Sequence, residues 1–156
     1  MGTNVNQVAS STPAKGAEQA AFKVPEEITA DERYGTFKEL VAELNKRGSL
    51  AEKESNGNKR MTTYRDADGT VIGGTYTYTT SDGKISGSVA IGNLSYSVKD
   101  IQGEGKVTSI LNSKKGTFAR DYNDDGIINP FEISHLGPLE ITNDNNEAEV
   151  TEENNQ

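Results

Sequence analysis

The densest set of side chains able to do chemistry lies in one stretch of twelve residues: Asp121, Tyr122, Asn123, Asp124, Asp125, Gly126, Ile127, Ile128, Asn129, Pro130, Phe131 and Glu132. Oxygen donors recur at alternate positions. Asp121, Asn123 and Asp125 offer three side-chain ligands, the Ile127 carbonyl a fourth, Asn129 a fifth directly or through water, and Glu132 both carboxylate oxygens. A hard cation such as calcium wants six to eight oxygens at about 2.3–2.6 Å, and a short loop can supply them only by wrapping around the ion. Gly126 suits the sharp turn that a Cβ would obstruct. Ile128 is the apolar residue expected to anchor the loop to a core. Four acids, Asp121, Asp124, Asp125 and Glu132, share these twelve positions, a crowding that a divalent cation neutralises. The competing reading is an Asx-rich turn, in which Asp121 and Asp125 bond only backbone N–H groups.

The stretch resembles the EF-hand calcium loop at every ligand position and at the glycine. With Asn129 in ninth place and a helix expected after it, the loop also resembles the repeat of dockerin modules. The resemblance covers residues 121 to about 136, and implies calcium binding through Asp121, Asn123, Asp125, Ile127, Asn129 and Glu132. For a dockerin it also implies docking onto a cohesin. The approach to the loop, with Gly116 and the strand-like run 107–111, reads as strand or coil rather than helix. A short exit helix is expected over 130–136, with Pro130 at its first position and Gly137 and Pro138 ending it. Dockerins usually close the loop with Asp, have a longer recognition helix and come in pairs, and no second full copy is present. With three ligating carboxylates and no partner loop, the affinity expected is weak, on the order of 10⁻⁴–10⁻³ M.

Other reactive groups read as structural. His135 is the only histidine, and no Gly-x-Ser-x-Gly elbow is present to make it part of a triad. Asp66, Asp68, Asp82 and Glu104 could pair as carboxylates for glycoside hydrolysis. All four, however, occupy turn positions where Asp or Gly serves the backbone. Tyr76, Tyr78 and Tyr96 could form a stacking platform, but a stripe on a strand more often packs or pairs. With no Cys, disulfides, thiolate metal sites and a Cys nucleophile are excluded. The expectation is a protein that is not an enzyme.

These residues need a body to hold them. The 156-residue chain suits one domain; Leu, Ile, Val and Phe number 30, about 19% of it, and the mean hydropathy is −0.71. Part of the chain is therefore expected to be unfolded. The net charge of −8 is uneven: residues 1–30 carry −1, 31–139 carry −1 and 140–156 carry −6. The segments read as a disordered N-terminal stretch (1–28), a single domain (29–139) and an acidic disordered tail (140–156). Duplex nucleic acid is not an expected partner, because Lys114-Lys115 is only a basic pair. No membrane span is expected, since no run approaches 18 apolar residues, and no secretory signal or myristoylation pattern is evident.

Within the domain, Thr36 and Glu39 have capping-box spacing, and Phe37, Leu40, Val41 and Leu44 fall on one helical stripe. Lys46 and Arg47 suit the C-terminal end of the dipole, and Gly48 the stop. Thr29 with Glu32 and Ser49 with Glu52 repeat the box and suggest short helical turns. From about Lys59 the period becomes two. Turn signals at Asp66-Ala67-Asp68-Gly69, Asp82-Gly83, Gly92-Asn93 and Gly103-Glu104-Gly105 separate apolar faces: Ile72/Tyr76/Tyr78, Ile85/Val89/Ile91 and Leu94/Tyr96/Val98. Such closely spaced strands pair antiparallel.

The expected fold is α+β: an antiparallel meander of four to five strands with one N-terminal helix packed on one face, then the calcium loop and the short helix. The expected function is calcium binding at a single structural site in a non-enzymatic protein. One alternative is a surface or appendage protein, leaving the cell without a cleaved signal, whose strands assemble or bind an unidentified protein while the loop is incidental. The other is a divergent single-repeat dockerin-like module.

Overall fold

The computed structural model describes residues 22–137. Of the N-terminal stretch expected to be disordered (1–28), residues 1–21 lie outside the described residues, as does the acidic tail (140–156), whereas 22–28 are described. From Phe22 onward the chain runs over the core, with Ile28 buried in it and the Glu26 carbonyl accepting Asn112 Nδ2 at 3.2 Å.

Helix α1 (Phe37–Arg47) begins where the box spacing places it: Thr36 Oγ1 accepts the Glu39 N–H at 3.2 Å, and Gly48 N–H closes the last turn on the Leu44 carbonyl. Leu40 and Leu44 are fully buried. Eight strands then follow in order: β1 (Ser49–Asn56), β2 (Lys59–Arg65), β3 (Val71–Thr79), β4 (Ile85–Ile91), β5 (Leu94–Val98), β6 (Val107–Asn112), β7 (Thr117–Arg120) and β8 (Ile133–His135). Each pairs antiparallel with its chain neighbour, giving one sheet in sequence order with β1 and β8 at its edges.

This corrects the expected four to five strands followed by a helix. The short helical turn expected to begin at Ser49 with Glu52 is instead part of β1, an edge strand exposed along its whole length. No apolar alternation betrays it, because its order comes from the ladder to β2 across the Gly57-Asn58 turn. The exit helix expected over 130–136 is one 3₁₀ turn, Pro130–Glu132. It stops there because Glu132 turns inward and Ile133 instead pairs with Ala119 of β7.

The face under α1 carries the core, with Val89, Ile91, Leu94, Tyr96, Ile110 and Ala119 in adjacent rows. The expected Ile72/Tyr76/Tyr78 face is broken by an irregularity opposite Tyr64 and Arg65. It brings Ile72 toward the end of α1 beside Gly48, whereas Tyr76 shares a row with Ser88 and Ser97 on the opposite face.

Candidate metal centre

Three segments build the site. The ladder to β6 ends at Arg120, so Asp121 leaves the sheet with its N–H still bonded to the Thr108 carbonyl at 3.0 Å. Gly126 takes φ 75°, a left-handed turn that folds the loop back. Pro130 presets the 3₁₀ turn, which swings Glu132 under the loop, where it is 1% exposed.

The result brings Asp121, Asp125 and Glu132 together, with one carboxylate oxygen from each lying within 4.8 Å of the others. Ligands about 2.3–2.6 Å from one ion can stand no more than about 5 Å apart, so this spacing fits a shared cation. Asp121 Oδ1 and Oδ2 accept the N–H groups of Asp125 (3.2 Å) and Gly126 (2.8 Å), and Asp125 Oδ1 accepts that of Ile127 (3.0 Å). Glu132 Oε1 accepts from Asn129 N–H and the Tyr34 hydroxyl, both at 3.0 Å, and Oε2 from Tyr122 N–H at 3.2 Å. Backbone donors thus hold the three acids inward while leaving lone pairs free.

The remaining sequence-derived ligands are placed around this trio. Asn123 and Asn129 each turn an amide nitrogen to Asp125 Oδ2 at 3.3 Å, and rotating either amide presents its oxygen instead. The Ile127 carbonyl accepts Asn129 Nδ2 at 3.4 Å. Ile128 is buried in the core. Asp124, the fourth acid of the loop, points away and pairs with Lys106 Nζ at 2.9 Å.

Electrostatics mark the trio as short of positive charge. Among the described residues no lysine or arginine forms an ion pair with Asp121, Asp125 or Glu132. Burial, and after it the negative charges of Asp125 and Glu132, hold the Asp121 carboxyl above the usual range against the pull of the Gly126 and Asp125 N–H groups. Asp125 lies below that range, chiefly because the Ile127 N–H bonds its ionised form. Asp124 is lowered by its Lys106 partner. The Tyr34 hydroxyl is pushed far up by burial and by its bond to Glu132, so it remains a donor.

All donors are oxygens, which suits a hard cation and not a soft one. The other candidates lie elsewhere. His135 is exposed on edge strand β8. Asp66 Oδ1 accepts Asp68 and Thr70 N–H, and Asp82 Oδ1 accepts the Thr80 hydroxyl and the Lys84 N–H, so both serve their turns. Tyr96 is buried on the core face, opposite Tyr76 and Tyr78, so the three form no platform. Tyr34 and Lys106 escaped the sequence reading because neither belongs to a local pattern; Tyr34 meets Glu132 across 98 residues. Comparison with protein-family models, with curated proteins and with solved structures finds no match to the chain.

Proposed function

We propose that the chain is a non-enzymatic calcium-binding protein with one structural, EF-hand-like site of weak affinity, held by Asp121, Asn123, Asp125, Ile127, Asn129 and Glu132. The observation that carries this reading is the convergence of three carboxylates within 4.8 Å, one of them the buried Glu132, with no cationic side chain paired to any of them among the described residues. A buried carboxylate costs several kcal/mol in desolvation, and hydrogen bonds alone offset only part of it. A divalent ion supplies the missing charge.

Calcium is favoured over magnesium because the donor set is large and partly neutral, whereas magnesium demands near-ideal octahedral geometry at about 2.0–2.1 Å and sheds water reluctantly. Bound there, the ion fastens the end of β7 to the turn that starts β8. At about 1 mM calcium the expected affinity adds about 0.4–1.4 kcal/mol to stability.

Calorimetric titration of the purified chain tests the reading. Calcium is expected to give saturable one-site heat with Kd on the order of 10⁻⁴–10⁻³ M, and Asp125→Asn, which keeps the side-chain shape but removes the charge, to weaken it more than about tenfold. Absence of heat up to about 10 mM calcium would overturn it.

A further inference from the structure

Residues 31–34 lie across the loop rather than beside it. Asp31 N–H donates to the Ile128 carbonyl at 2.7 Å, Ile128 N–H to the Glu32 carbonyl at 2.8 Å, and Tyr34 N–H to the Gly126 carbonyl at 2.9 Å, with Arg33 and Ile127 facing each other as a bridge. These bonds grip the part of the loop between Asp125 and Asn129. The Tyr34 ring enters the core, 1% exposed, and its hydroxyl reaches Glu132 Oε1 at 3.0 Å. One short segment thus holds both the backbone turn and the buried carboxylate.

We propose that residues 31–34 are the second half of the cation site, with Tyr34 as the positioning residue for Glu132, so that calcium occupancy and the docking of this segment on the core reinforce each other. The proposal rests on the calcium reading above. Without the ion, repulsion among three carboxylates within 4.8 Å works against the N–H donors that hold the loop closed. The Gly126 and Ile128 groups that bond Tyr34, Asp31 and Glu32 lie on the moving part. An ion between the carboxylates removes that repulsion and favours the closed loop that presents those groups. Asp31 takes φ 73°, an uncommon conformation for a residue with a Cβ, held here by its bond to Ile128. Its release is therefore favoured once that bond is lost. Reciprocity requires that whatever the docked segment adds to cation affinity, the cation adds to docking.

Hydrogen exchange on the full chain, with calcium alone as the probe, reads this directly. The amides of Asp31, Tyr34 and Ile128 are expected to gain at least about tenfold protection as calcium saturates, while those of Val89 and Tyr96 in the sheet core change little. Tyr34→Phe, checked for folding by those same core amides, is expected to weaken calcium binding about tenfold, the loss expected of one hydrogen bond to a charged group. Asp125→Asn, whose side chain bonds nothing in residues 31–34, is expected to leave the three amides less protected than in the parent at the same calcium concentration.

Saturable heat with unchanged exchange at Asp31, Tyr34 and Ile128, or with Tyr34→Phe binding as the parent does, overturns the coupling and leaves the calcium site standing. Absence of heat in the parent chain overturns the site reading and the coupling with it.

Discussion

Tyr96 sits in the middle of the sheet under α1, fully buried, and its hydroxyl has no hydrogen-bond partner among the described residues. An unsatisfied buried hydroxyl costs about 1–3 kcal/mol, whereas the ring beneath it packs as a phenylalanine would. Tyr96→Phe is accordingly expected to stabilise the protein by about 1 kcal/mol, read from the midpoint of a urea transition. The same residue sets a pH dependence. Burial raises its pKa, outweighing the opposing pull of Arg47, so the folded chain keeps a proton that the unfolded chain releases near pH 10. The stability tied to this proton is complete below about pH 10 and is lost as pH climbs further, by about 1.4 kcal/mol per pH unit. Tyr96→Phe should flatten the alkaline limb by that amount; parallel limbs for parent and variant between about pH 10 and 11.5 would refute the assignment.

At the scale of elements, the joint between α1 and the sheet depends on Gly73. Its φ is 157°, and a Cβ built there meets the Ala90 carbonyl oxygen and, at 2.9 Å, Leu44 Cδ2. Neither the β4 backbone nor a buried helix residue can move away cheaply, so Gly73→Ala should cost more than about 2 kcal/mol. Gly83→Ala is the control, a left-handed position in an open turn with nothing within 4 Å, and should cost only about 1 kcal/mol. Equal losses in chemical denaturation would argue against tight helix–sheet packing at this point. The helix and the turns at 66–69, 82–83 and 92–93 were legible because caps and turn residues act locally: Thr36 with Glu39 is a three-residue interaction, and Asp66 bonds Asp68 and Thr70. β1 was not legible, having no buried face, and β8 was not, since its three residues are ordered only by the Thr117, Phe118 and Ala119 partners that β7 provides. The convergence of Asp121, Asp125 and Glu132 was readable because the three lie within twelve contiguous residues; the segment 31–34 that holds the loop was not, because the bonds from Asp31, Glu32 and Tyr34 to the loop cross nearly the whole domain.

At the scale of the molecule, one helix among the described residues covers one face of an eight-strand sheet, and a row across the other face runs through Met61, Tyr76, Ser88, Ser97, Ser109 and Arg120. Met61 and Val71 remain exposed, so the core must come from one side of the sheet alone. A fold built this way has little stability in reserve, and a small linked free energy therefore produces a visible shift. At about 10 mM calcium, with Kd on the order of 10⁻⁴–10⁻³ M, the linkage is about 1.4–2.7 kcal/mol. For a domain of this size that corresponds to a rise in Tm of about 4–12 °C relative to chelator. Asp125→Asn should shift by no more than about half as much, because a Kd weakened about tenfold or more leaves at most about 0.4–1.4 kcal/mol of linkage at that concentration; the group changed is one of the three carboxylates that could hold the ion. Magnesium at the same concentration should move the parent less, since that ion sheds its water reluctantly and demands near-ideal octahedral geometry. If the parent shifts and Asp125→Asn shifts equally, the ion acts somewhere other than between Asp121, Asp125 and Glu132; if neither shifts, the buried Glu132 is held by its Tyr34, Asn129 and Tyr122 donors alone.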